Sequence, residues 1–181
     1  MTVTRFLKNP KTENYNKLKE LILGGDFPWF RIESTIVSPD FKCDEGHEDF
    51  PFLSHRALTR PDGQSPCLYS QVTSQYVDYM QQVFLEIAKS NDINPQVIYR
   101  INVNATYPTK NNLPSPLHID HYFPHKNMIV YLTDTHGGCT IVDGKEYNGK
   151  EDDVIVFDGN LMHCAKPPSK DIRVVMVVTF L

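Results

Sequence analysis

Apolar positions between residues 11 and 24 recur at helical spacing. Tyr15, Leu18 and Ile22 form one stripe, and Gly24-Gly25 supply a left-handed stop. A short amphipathic helix is predicted there. Phe27-Pro28-Trp29-Phe30 leads into an alternating, β-branched stretch from Ile32 to Val37, which reads as a strand. Residues 38–66 are rich in Pro, Asp, Gly and His and read as long loops, with Phe50-Pro51-Phe52-Leu53 as a local anchor. Loops of that length are uncommon in a compact domain unless they serve a function. The clearest helix follows, with Tyr76, Met80, Val83, Phe84 and Ile87 on one face. Thr73 or Ser74 is positioned to cap it, and Asn91 to Pro95 close it.

From residue 96 the period falls from helix to strand. Ile101, Val103, Ala105 and Tyr107 share one face, and Arg100, Asn102 and Asn104 share the other. Residues 128–132, 140–142, 154–157 and 174–181 are further β-type runs, separated by turn signals. Among these, Asp143-Gly144 marks a two-residue hairpin. The pattern predicts a mainly β chain with helices in front, a sandwich or small barrel. We read one domain over residues 1–181, with 1–95 as helical and loop support and 96–181 as the β core.

Composition narrows the classes. The 181 residues carry 40% hydrophobic and 22% charged side chains, which excludes wholesale disorder. A net charge of -4 without a basic block makes nucleic acid an unfavoured partner. No apolar run approaches the roughly 18 residues of a membrane span, and the N-terminal residues hold no apolar signal core. Cys43, Cys67, Cys139 and Cys164 form no C-x-x-C pair. We expect reduced thiols in a cytoplasmic protein, with Cys139 and Cys164 inert and buried.

The chemistry concentrates in the β half. Residues two apart on a strand point to one side, so His118 and Asp120 can aim at a single ion. His163, after a strand and turn, is the natural third ligand. Two imidazoles and one carboxylate on one face leave the opposite positions open, as in the facial triad of non-heme iron(II) oxygenases. Arg173, ten residues on, opens the last apolar strand, where burial is costly unless an anion meets it. Each has a plainer reading. His118 and Asp120 could be a surface pair, His163 a core histidine, and Arg173 half of an ion pair with Asp152 or Asp153.

In the order His118-x-Asp120, His163, Arg173, with the intervening strand-turn segments, residues 96–181 resemble the 2-oxoglutarate- and iron(II)-dependent dioxygenases. The likeness is to the prolyl-4-hydroxylase-like side, particularly small bacterial and phage forms. The resemblance implies a double-stranded β-helix, a cupin-like jelly roll, with iron at its mouth held by His118, Asp120 and His163 as the catalytic centre. It also implies 2-oxoglutarate and O2 as co-substrates, with room for ascorbate, and succinate and CO2 as products of a hydroxylation. Arg173 matches the residue that holds the distal carboxylate of 2-oxoglutarate. Tyr107 matches, with a one-residue insertion, a tyrosine that hydrogen-bonds it. A small-molecule or peptide substrate follows, in the host cytoplasm if the chain is phage-encoded, and the 38–66 loops become its rim. Two other classes stay open: a cupin-like metal-binding module that is not an oxygenase, and a phage interaction protein that lost catalysis. Oligomeric state is not legible. His121, His125 and His136 read as loop residues, with His121 a candidate to bond substrate, and Tyr131 reads as packing. The polar face of Arg100, Asn102 and Asn104 is either solvated or part of the substrate wall. Asp152-Asp153 stands where the family has Gly-Asp.

Overall fold

The computed structural model describes residues 4–33, 50–59 and 69–181. In chain order these form β1 (Arg5–Leu7), α1 (Glu13–Leu23), β2 (Phe30–Ile32), β3 (Phe52–Thr59), β4 (Gln71–Val72), α2 (Val77–Lys89) and β5 (Ile98–Thr106). They continue as β6 (Lys126–Tyr131), β7 (Cys139–Val142), β8 (Lys145–Tyr147), β9 (Val154–Asp158), β10 (His163–Lys166) and β11 (Arg173–Phe180). The strands make a large antiparallel sheet in the order β1-β9-β6-β11-β5-β3-β2, with β4 on β3, and a smaller one in the order β10-β7-β8.

Alternation along the strands gives the large sheet two different faces. Ile101, Val103 and Ala105 of β5, with Val174, Met176, Val178 and Phe180 of β11, pack beneath Leu18 and Ile22 of α1 and Met80, Phe84 and Ile87 of α2. Val175 and Val177 point the other way and join Ile129, Tyr131, Ile155, Phe157 and Val142 between the two sheets. β11 is therefore buried along its whole length. That is why it reads as an unbroken apolar run rather than an alternating one. Helices on one face and a second sheet on the other make a jelly roll.

Several elements differ from the sequence reading. The segment after Phe50-Pro51 is β3, a strand paired with β5, not a loop. A bulge between Arg56 and Leu58 breaks its alternation, which hid it. β2 ends at Ile32, and residues 34–37 of the expected strand lie outside the described residues. So do 38–49 and 60–66 of the expected rim. The N-terminal half also supplies strands to both flanks of the large sheet, β1 on β9 and β3 on β5. Thr12 caps α1 by accepting from the Tyr15 N–H. Gly24 is extended at φ -73 rather than left-handed, its N–H closing on the Leu21 carbonyl. The Asp143-Gly144 hairpin holds, with φ 49 and 72 joining β7 to β8.

The turn before β9 shows how aspartate serves where glycine would be unstrained. Asp152 sits at φ 71. Its carboxylate accepts from Tyr15 Oη at 2.7 Å and pairs with Lys11 at 2.8 Å and Lys19 at 2.5 Å. Burial alone would raise its pKa, but these three partners bring it down to about 2 from 3.8. A depressed carboxylate stabilises the fold above the unfolded value and loses that contribution as pH falls through the folded one. Asp152→Asn, which keeps a residue tolerant of positive φ, should cost about 1 kcal/mol at neutral pH, given the screening around these partly exposed lysines. Thermal unfolding of the variant should depend less on pH between about 4 and 2. An unchanged pH profile would remove Asp152 from the acid response.

Candidate metal centre

His118 and Asp120 are not on a regular strand. His118 forms an isolated antiparallel bridge with His163, the first residue of β10. The two exchange backbone bonds, His118 N–H to His163 O at 3.0 Å and His163 N–H to His118 O at 2.9 Å. Directly paired residues face the same side, so this bridge aligns the imidazoles, with ring centroids 4.5 Å apart. The donor atoms of His118, Asp120 and His163 all lie within 4.8 Å of one another. Cis ligands about 2.1 Å from one ion would sit about 3 Å apart, so closure needs only small side-chain rotations.

Backbone carbonyls fix the tautomers. His118 Nδ1 lies 3.0 Å from Pro116 O and His163 Nδ1 lies 3.0 Å from Leu161 O. A carbonyl can only accept, so each Nδ1 carries the proton and each Nε2 lone pair is left for an ion. Burial, and then the neighbouring His163, push His118 down to about 4, which keeps it neutral. Burial alone would raise Asp120, but Arg100 and His163 hold its carboxyl well below the usual range. Arg100 Nη1 meets Asp120 Oδ1 at 2.9 Å. The donor set, two imidazoles and one carboxylate, fits iron(II).

Arg173 is 2% exposed on the same inner face. Its Nη2 donates to Thr140 Oγ1 at 2.8 Å, and its guanidinium lies 5.5 Å over the Tyr131 ring. Its Nε has no partner, and no carboxylate pairs with it among the described residues. The ion-pair alternative fails because Asp152 is bound to α1 and to Lys11, while Asp153 accepts from the Lys150 N–H. Burial lowers the pKa of this unpaired cation. A buried guanidinium without an anion is costly, and a carboxylate delivered by a ligand would offset that cost.

Tyr107 is not brought into this group. It is 48% exposed beyond the end of β5. Tyr131 lies beside Arg173 instead, its hydroxyl 2.7 Å from Thr140 Oγ1. The packing role assigned to it from sequence missed that polar end. The signal was parity: Ile129 and Tyr131 share the face opposite Met128 and Val130. Gly149 backs the Tyr131 ring so closely that a Cβ would run into it. Gly149→Ala should therefore displace Tyr131 and destabilise the fold by about 1–3 kcal/mol. It should also weaken any anion held at Arg173, and undisturbed stability in a melting experiment would count against this packing.

Arg100, Asn102 and Asn104 turn inward rather than to solvent, opposite Thr179, Val177 and Val175. Ser54 of β3 donates to Asn104 Oδ1 at 2.9 Å, and Asn102 Nδ2 donates to the same oxygen at 2.7 Å. His121 and His125 are buried in the loop before β6. His121 Nε2 lies 2.9 Å from Thr179 Oγ1, and His125 Nδ1 donates to Phe123 O at 2.8 Å. His136 adopts φ 48, its Nδ1 3.8 Å from Asp171. Cys139 and Cys164 are buried thiols, and burial raises Cys164 to about 11.

Comparison with solved structures agrees with this architecture. A 2OG-Fe(II) oxygenase family oxidoreductase from Burkholderia pseudomallei matches at a TM-score of 0.66 and 13% identity, over 99% of this chain and 84% of that one. The non-heme alpha ketoglutarate dependent epimerase SnoN from nogalamycin biosynthesis matches at 0.61 and 11%, over 98% and 76%. The chain has the fold of the 2-oxoglutarate–iron(II) oxygenases. No family model matches the sequence, and no curated protein does. The likeness is therefore carried by fold. Among the described residues no helix is long and apolar enough to cross a membrane.

Proposed function

We propose that the protein is an iron(II)- and 2-oxoglutarate-dependent oxygenase that hydroxylates a small-molecule or peptide substrate. The observation that carries the reading is Arg173, a buried cation without an acidic partner among the described residues, on the inner face that also holds the His118, Asp120 and His163 cluster. His118, Asp120 and His163 would hold the metal. Arg173 would take the far carboxylate of 2-oxoglutarate, with the Tyr131 and Thr140 hydroxyls beside it. Bound there, iron(II) and 2-oxoglutarate supply O2-dependent decarboxylation to succinate and CO2, coupled to hydroxylation. Along β11, Thr179 lies opposite Arg100 and Asn127 at the ligand end, and Arg173 lies at the other end. Val175 and Val177 between them would line the co-substrate and exclude water.

The test is a 2-oxoglutarate turnover assay with iron(II), followed by an untargeted mass-spectrometric search for products carrying one added oxygen. Succinate formation that needs iron(II) and fails with pyruvate supports the reading. Tight metal binding without 2-oxoglutarate turnover or binding would favour a metal-binding module.

A further inference from the structure

Both carboxylate oxygens of Asp120 meet protein groups. Arg100 takes Oδ1, and Asn127 Nδ2 donates to Oδ2 at 2.9 Å. The same Asn127 nitrogen lies 3.5 Å from His163 Nε2, which is itself 3.5 Å from Asp120 Oδ2. A carboxamide N–H thus stands among the atoms that would hold the ion. An amide nitrogen has no lone pair to offer a metal, and its N–H faces the His163 Nε2 lone pair that the ion would need, so a cation binding there displaces it. Asn127 is 1% exposed, on β6 between Thr179 and Phe157, and cannot swing out to water. The remaining movement is a half-turn of the carboxamide, which exchanges Nδ2 for Oδ1. Oδ1 is buried and has no hydrogen-bond partner among the described residues. A half-turn would give that orphaned acceptor something to accept from.

We propose that Asn127 is a fourth side chain of the metal centre. Without an ion its nitrogen caps Asp120; with one, Oδ1 turns inward and accepts a hydrogen bond from a water on the ion. This rests on the metal site proposed above and makes Asn127 a positioning residue, leaving the open coordination positions free. The competing role is a filler whose N–H competes with the cation for Oδ2. The two roles predict opposite signs for deletion.

The experiment is calorimetric titration of the full chain with Co(II), with the visible Co(II) spectrum recorded on the same samples. Wild type should bind one equivalent; if it binds none, the metal-site reading itself fails, whatever Asn127 does. With wild type binding, Asn127→Ala and the near-isosteric Asn127→Leu should each bind about tenfold more weakly, with a shifted spectrum. Asn127→Asp, which keeps an acceptor oxygen, should bind at least as tightly as wild type. Equal or tighter binding by the Leu variant, with an unshifted spectrum, would overturn the proposal and leave Asn127 a filler. The Leu and Asp variants decide the matter even if the Ala variant fails to fold.

Discussion

Arg173→Ala should weaken 2-oxoglutarate binding by two to three orders of magnitude while leaving metal binding intact. The residue is buried, its guanidinium donates to Thr140, and no carboxylate pairs with it among the described residues. Removing one partner of a buried charged pair costs roughly 3–5 kcal/mol, which is that loss in affinity. Arg173→Lys should be milder, since it keeps the charge and loses the two-pronged fork. Without bound ligand, the Ala variant should still fold, because the lost packing and Thr140 bond are offset in part by removing a buried cation that no carboxylate meets among the described residues. Calorimetry with 2-oxoglutarate and a melting curve on the same sample separate the effects. Unchanged affinity, or a collapse of stability, would make Arg173 a structural residue.

His163→Ala should abolish stoichiometric metal binding. His163 gives its own Nε2, and its backbone bridge with His118 aligns the second imidazole. Alanine keeps the bridge, so the fold should persist while two protein ligands remain. Metal retained at one equivalent and wild-type affinity, measured by calorimetry, would remove His163 from the ligand set. His121→Ala should leave metal binding in place, since its Nε2 lies against Thr179 rather than among the ligand atoms.

What was legible in the sequence follows from how local its cause is. α2 and β11 were readable because burial imposed a regular spacing of apolar residues. His118, Asp120 and His163 were readable as types and order, although the reason offered for their alignment, strand parity, was replaced by a backbone bridge between distant segments. β3 was not legible, because a bulge shifts its alternation and its central residues are polar. Arg100 was seen as part of a polar face, but its partner Asp120 lies twenty positions on and meets it only through the sheet. Tyr131 and Asn127 were hidden for a related reason. Each sits in an apolar run, where parity groups them with Ile129, but the register with β11 is what shows that this face points inward.

The most direct measurement is an anaerobic titration of the iron(II)-loaded protein with 2-oxoglutarate, followed by visible absorption. The account predicts a charge-transfer band that needs both iron(II) and 2-oxoglutarate and saturates at one equivalent. Pyruvate, which cannot reach Arg173 with a second carboxylate, should not produce it at the same concentration. Stoichiometric iron with no band, or a band that forms equally well with pyruvate, would contradict it.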